Sequence, residues 1–187
     1  MKILDYSICF IDTETTGLTL EHEIIEIAVI KVEPYTYREI DRWCVKIKPN
    51  RTDNFSYKAA EINGYSDDEW KTAITDKDAI IEFIQKTDDC LIAGHNVSFD
   101  LALIRKLAEK YGLELKCHYK PLDTFPLAYV LSFSDLKDGS LSLTDLTRQL
   151  DIETQPEQQF GRFKRHTALY DAELTMKCFI KMVEMLM

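Results

Sequence analysis

The sequence predicts an α/β domain built on a mixed sheet, on three observations. Short aliphatic runs bounded by turn residues recur along the chain, with the length and composition of buried strands. The first three follow one another through short loops, as an antiparallel meander does. The later ones alternate with stretches whose apolar residues fall every three or four positions, as on amphipathic helices.

The first run, Tyr6-Ser-Ile-Cys-Phe-Ile-Asp12, has no helical period and predicts a strand buried on both faces. Thr13 to Gly17 predicts a loop closed by a glycine turn. Glu23 to Val32 is dense in Ile and Val and predicts the second strand, with Glu33-Pro-Tyr-Thr-Tyr37 turning the chain back. From Arg38 to Lys48 the residues alternate, Trp43, Val45 and Ile47 on one side and Cys44, Lys46 and Lys48 on the other. That pattern predicts a strand with one solvated face, near a sheet edge. Ser56 to Trp70 reads as two short helical pieces broken at Asn63-Gly64, the second opening at Ser66-Asp-Asp-Glu69.

Asp76 or Asp78 caps a helix running to about Lys86, and Cys90 to Ala93 is a short buried strand ending at Gly94. From Val97, apolar residues at 97, 101, 104, 108 and 111 form a helical stripe, ended by Gly112. Leu122-Asp-Thr124 predicts a strand end followed by a helix to about Phe133, and Ser134 to Ser140 a polar loop. Ser142 opens another helix ending near Leu150, and Gln155 to Arg165 is polar and irregular. Ala168, Ala172, Thr175, Phe179, Val183 and Leu186 stand at helical spacing and predict a long closing helix. With no repeat, low-complexity tract or linker, residues 1–187 predict one domain.

Composition narrows the function classes. Hydrophobic residues at 45% and charged residues at 29% give an ordinary globular balance. No apolar run approaches the roughly 20 residues of a membrane span. The longest, Ile24 to Ile30, contains Glu26, and Asp5 interrupts any signal-peptide core after Lys2. A cytoplasmic protein without a membrane partner is expected. The five cysteines, Cys9, Cys44, Cys90, Cys117 and Cys178, are odd in number and form no CxxC pair, so buried free thiols are expected. A net charge of −9 argues against tight nonspecific binding of duplex nucleic acid. It suits a short contact with a strand end.

Three segments carry chemistry. Asp12 and Glu14 stand two apart at the end of a buried run, and in a strand such residues face the same way. Two carboxylates so placed repel unless a hard cation such as Mg²⁺ lies between them; the alternative is the start of a solvated loop. Asp100 shares the side of its helix that carries Ile104 and Leu107, in the first turn, where the helix dipole favours a carboxylate with or without a ligand. Asp171 borders the apolar face of the closing helix, and His166 stands five residues before it. In a helix that separation points the two about 140° apart, so His166 must precede the helix if both reach one site.

Taken together, Phe10-Ile-Asp-Thr-Glu-Thr-Thr-Gly17, His95-Asn-Val-Ser-Phe-Asp100 and His166-Thr-Ala-Leu-Tyr-Asp-Ala172 resemble the three motifs of the DEDD exonuclease superfamily. The histidine five residues before the last aspartate resembles its DEDDh branch, which includes the proofreading subunit of bacterial DNA polymerase III, exonuclease X, ribonuclease T and oligoribonuclease. The resemblance implies a ribonuclease H-like fold with a central mixed five-stranded sheet flanked by helices. It implies a 3′→5′ exonuclease acting on single-stranded DNA, or on RNA, to release nucleoside 5′-monophosphates in repair or replication. It implies two divalent cations, Mg²⁺ or Mn²⁺. Asp12, Glu14 and Asp171 would hold one, Asp12 would bridge to the second, and Asp100 would act there partly through water. His166 would be the general base.

Softer matches suggest where the 3′ end sits. Leu18 and Ile62 align with positions that wedge against terminal bases, and the backbone of Thr15 and Thr16, followed by Gly17, resembles the approach to the terminal nucleotide. Asn63 and Gly64 resemble a motif near that pocket; Asn96 and His95 shape the site, His95 as a structural histidine. Arg162, Lys164 and Arg165 contact phosphates or form a solvated loop, and Asp123 reads as structural. The chain ends soon after the last helix, without the extension by which the polymerase III proofreading subunit reaches its polymerase. A free-standing trimming enzyme is therefore expected, with association with a DNA polymerase as the other partner. The first motif departs from the Asp-Leu-Glu-Met-Thr-Gly of oligoribonuclease, against dinucleotide specificity. A noncatalytic nucleic-acid-binding or polymerase-associated module of the same fold is the alternative function, and an acidic Ca²⁺-binding domain a third.

Overall fold

The computed structural model describes residues 2–51, 55–133, 140–153 and 167–187, and the backbone of 159–160 and 163–164. Strands β1 (Ile8–Thr15), β2 (Ile24–Val32) and β3 (Glu39–Lys46) form the meander, β1 pairing with β2 and β2 with β3, both antiparallel. After α1 (Tyr57–Asn63) and α2 (Asp76–Lys86), β4 (Leu91–Gly94) joins β1 in parallel. Helix α3 (Ser98–Lys110) leads to β5 (Leu122–Asp123), parallel to β4, giving a mixed five-stranded sheet of order β3-β2-β1-β4-β5. Helices α4 (Thr124–Leu131) and α5 (Leu143–Gln149) follow, then a two-stranded pair β6 (Gln159–Phe160) and β7 (Phe163–Lys164), and α6 (Ala168–Met185). Among the described residues, no helix is long and apolar enough to cross a membrane.

Side-chain alternation along β1 and β2 divides the molecule into two layers. Cys9 and Ile11 of β1, with Ile27 and Val29 of β2, face α2 and α3 through Ile80, Phe83, Leu101 and Ile104. Ile8 and Phe10, with Ala28 and Ile30, face α6 through Ala168, Ala172 and Phe179, the Phe10 and Phe179 rings lying 5.4 Å apart. Each full burial of such a side chain contributes about 1.5–3 kcal/mol, which is why the central strands are apolar on both sides. A third cluster, Ala128, Leu131, Leu146, Cys178 and Met182, packs α4 and α5 onto α6.

Four local features differ from the sequence expectation. Thr13 to Thr15 continue β1 instead of entering a loop, because β2 supplies backbone partners opposite them, Thr13 to Ile27, Glu14 to Glu26 and Thr15 to Ile24. The cap of α2 is Thr75, whose hydroxyl accepts the Asp78 N–H, and neither aspartate fills that place. Residues after Ser66 form turns and no second helix. The β6–β7 pair lies in the stretch expected to be irregular. Of the cysteines, Cys9, Cys90 and Cys178 are buried, Cys117 is half-buried and Cys44, on the edge strand, is exposed.

Candidate active and metal site

The same alternation aims the carboxylates. Asp12 and Glu14 continue the series Ile8 and Phe10, so they leave β1 on the face that α6 covers. Asp171 lies in the first turn of α6, just beyond Ala168 at the sheet. The three residues are half-buried, and one ligand oxygen from each lies within 4.8 Å of the others. Asp12 is held well above the usual carboxylate range by burial, then by the charges of Asp100, Asp171, Glu14 and Glu26. Carboxylates forced together against their own repulsion suit a hard divalent cation, which supplies the missing positive charge and prefers oxygen ligands.

Asp100 reaches the same region from the other layer. Thr13, between Asp12 and Glu14, points toward α3, and its hydroxyl donates to Asp100 Oδ1 at 2.6 Å. Burial pushes the Asp100 carboxyl up to about 6, and the Thr13 hydroxyl opposes that shift. Asp100 is outside the three-residue cluster, yet its charge is the strongest of those that raise Asp12. Asp12 therefore feels carboxylate charge from both layers, Asp100 from α3 and Asp171 from α6. His166 lies outside the described residues, as do Arg162 and Arg165; Lys164 is described by its backbone alone. The residue after His166, Thr167, caps α6, its hydroxyl accepting the Tyr170 N–H at 3.3 Å.

The residues expected around the 3′ end divide into two kinds. Thr15, Thr16 and Asn63 are buried and their side chains serve the protein. The Thr15 hydroxyl donates to the Gly17 carbonyl at 2.7 Å, and Thr16 Oγ1 accepts the Glu23 N–H at 3.0 Å. Asn63 Nδ2 donates to the Thr15 carbonyl at 3.1 Å while its Oδ1 accepts the Tyr65 N–H. They shape the loop after β1, whose Thr16 N–H donates to the Glu23 carbonyl and whose Thr16 carbonyl accepts the Ser56 N–H. A Cβ at Gly17 would collide with the His22 imidazole, which would have to shift to admit it. Gly64 ends α1 in the left-handed conformation at φ 67°. Leu18, by contrast, is 85% exposed, Ile62 is half-buried and Asn96 is exposed.

Asp123 is structural, as expected: it accepts backbone N–H groups from Asn96, Val97 and Phe125 at 2.9–3.1 Å, tying the turn before α3 to the start of α4. Glu26 has a place that the sequence does not assign, where it stands out only as the charge inside an apolar run. It is buried, lies opposite Glu14 and accepts the Ala168 N–H at 2.9 Å. A lone acid in a strand buried on both faces was the signal for it. His95 sits 2.8 Å from the Thr124 hydroxyl with its pKa lowered by burial, as a structural histidine would be.

The exonuclease family model, RNase_T, matches residues 9–179. The PolC-type DNA polymerase III of Thermotoga maritima is 32% identical over 184 residues, 97% of this chain and 12% of that protein. Its counterpart from Bacillus subtilis is 31% identical over 175 residues, 92% of this chain and 11% of the other. The chain thus spans about an eighth of the length of these relatives. Among solved structures, exonuclease I in its apo form superposes with a TM-score of 0.79 at 18% identity, covering 97% of this chain and 42% of that one. E. coli exonuclease I in complex with a dA16 oligonucleotide gives 0.77 at 20% identity over 96% and 41%. At these identities the likeness shows the fold, which is ribonuclease H-like.

Proposed function

Because the chain belongs to the DEDD-type 3′→5′ exonuclease family, we propose that it shortens single-stranded DNA from the 3′ end, with residues 1–187 as one exonuclease domain. The observation that carries this reading is the meeting of Asp12, Glu14 and Asp171 within 4.8 Å, with Asp100 bonded to the intervening Thr13 and its charge acting on Asp12. Asp12, Glu14 and Asp171 would hold one divalent cation, Mg²⁺ or Mn²⁺, and Asp12 with Asp100 a second. Cations bound there supply positive charge to the oxygens of the phosphodiester under attack. His166, one residue before the cap of α6, takes the proton of the attacking water as general base. The bond broken joins phosphorus to the 3′ oxygen of the preceding nucleotide, so the products are a nucleoside 5′-monophosphate and a strand with a new 3′ hydroxyl.

Single-stranded DNA is favoured over RNA because exonuclease I, whose fold this chain shares, binds dA16 and dT13 oligonucleotides. A zinc-bound form of the E. coli exonuclease I complex with single-stranded DNA supports a divalent cation as cofactor. The PolC-type relatives support association with a DNA polymerase, as part of the same chain or as a partner. The exposed Leu18 and half-buried Ile62 would flank the terminal base. The backbone of Thr15, Thr16 and Gly17 would face the terminal nucleotide, with Asn63 and Asn96 shaping the pocket wall.

The test uses 5′-labelled single-stranded DNA and RNA with Mg²⁺ or Mn²⁺, beside Asp171→Asn and His166→Ala. A ladder shortening from the 3′ end of DNA, absent with EDTA and in both variants, is the expected result. Binding of DNA by the unmodified chain without shortening would leave the noncatalytic module as the function.

A further inference from the structure

We propose that Glu26 is a positioning residue: its buried carboxylate fixes the start of α6 by accepting the Ala168 N–H, and so holds Asp171 against Asp12 and Glu14. The inference rests on the metal-site reading above. Glu26 lies on β2 directly opposite Glu14, and residues so paired leave the sheet on the same face, here the one α6 covers. Its Oε2 accepts the Ala168 N–H at 2.9 Å. Glu26 is 6% exposed and Ala168 is 0% exposed, so water cannot replace either partner. The Cys44 thiol on β3 faces the same carboxylate.

Ala168 is the first residue of α6, and the N–H groups of a first helical turn have no partner within the helix. Thr167 supplies one from the neighbouring residue, and Glu26 supplies another from across the fold. The second bond is the one that fixes the helix to the sheet. Asp171 stands three residues beyond Ala168, about 4.5 Å of helical rise away, so the anchor and the ligand share one turn. The position is an expensive one for an acid, because the Glu26 charge adds to those that raise Asp12. A carboxylate kept there is explained by what it accepts. Without it, a buried N–H is left unpaired, and α6 relieves that by moving its first turn, and Asp171 with it, away from the strand.

The test is the affinity of the full chain for Mn²⁺, by titration calorimetry, for the unmodified protein, Glu26→Gln, Glu26→Ala and Ala168→Pro. Glutamine keeps an acceptor oxygen at the same reach. Proline deletes the donor at a helix position that tolerates it, behind an extended Thr167 that suits it. Removing a group that orients a metal ligand costs about 10–100-fold in affinity, so Glu26→Ala and Ala168→Pro should each weaken binding by that much and Glu26→Gln by no more than about threefold. The Glu26→Ala/Ala168→Pro double variant should lose no more than the weaker single, since both remove one bond. Equal losses in Glu26→Gln and Glu26→Ala would overturn the assignment, because charge and not the acceptor would then be at work. Additive losses in the double variant, or a tight Ala168→Pro, would overturn it too. If Glu26→Ala does not fold, Ala168→Pro against Glu26→Gln decides alone. An unmodified chain that binds no Mn²⁺ would sink the metal-site reading and this inference with it, whereas tight binding by every variant would sink this one only.

Discussion

Single residues carry the electrostatics of the site, and there the predictions are sharpest. Asp12 is crowded by burial and four other carboxylates. Asp12→Asn should therefore lose cation-dependent hydrolysis by roughly a thousandfold, the equivalent of about 4 kcal/mol, while gaining thermal stability in EDTA. Melting curves of both proteins in EDTA check the second half; a less stable variant would show that Asp12 is not repelled. Asp100 provides a pH signature. Its carboxyl is raised to about 6 in the folded chain against 3.8 as the ordinary value, so the folded state holds its proton longer than the unfolded state. Stability from this group is full below about pH 4 and is lost as the pH rises through about 6 in the metal-free protein. The Thr13 hydroxyl favours the charged form. Thr13→Val should move the Asp100 titration to higher pH, read from its side-chain carbon resonance. The spacing of Asp12, Glu14, Asp100 and Asp171 could be read from the sequence because period two and helical period are local properties. Which face each acid takes could be inferred for Asp100. The link through Thr13 was hidden, since a threonine in a strand carries no sign of its partner.

Helices and strands decide how accurately those residues are held. Helix α6 starts at Thr167, whose hydroxyl accepts the Tyr170 N–H, and α2 starts at Thr75 in the same way. Loss of such a cap costs about 1 kcal/mol, so Thr75→Ala and Thr167→Ala should each lower the melting temperature by roughly 2–4 °C. Only Thr167→Ala should also lower the exonuclease rate, because α6 carries Asp171 while α2 lies on the other face. Equal rates in the two variants would detach the start of α6 from the chemistry. Most elements were legible, since apolar runs and stripes report burial directly. The cap of α2 was not, because Thr75, Asp76 and Asp78 all have capping side chains and only backbone geometry selects one. The end of β1 was not either: Thr13 to Thr15 resemble a loop until β2 is seen opposite them.

At the scale of the whole molecule, two layers on one sheet bring three distant stretches to one end of β1. The mixed sheet follows from a meander joined to strand–helix units, a pattern that the chain order displays. The long-range pairings that assemble the site, Glu26 to Ala168 and Thr13 to Asp100, span too much sequence for any local period to reveal. A site assembled from repelling acids predicts stabilisation by its cation. Mn²⁺ at about a hundred times its dissociation constant should add about 2.7 kcal/mol and raise the melting temperature by roughly 5–10 °C. The gain should be larger at pH 7.5 than at pH 5.5, where Asp100 retains much of its proton.

The most direct measurement is anomalous diffraction at the manganese edge from crystals of the chain grown with Mn²⁺. A peak bounded by the Asp12, Glu14 and Asp171 carboxylates, absent from crystals of Asp171→Asn, is the expected result. Clear density for all three side chains with no anomalous signal among them, in a protein that still shortens DNA, would contradict it.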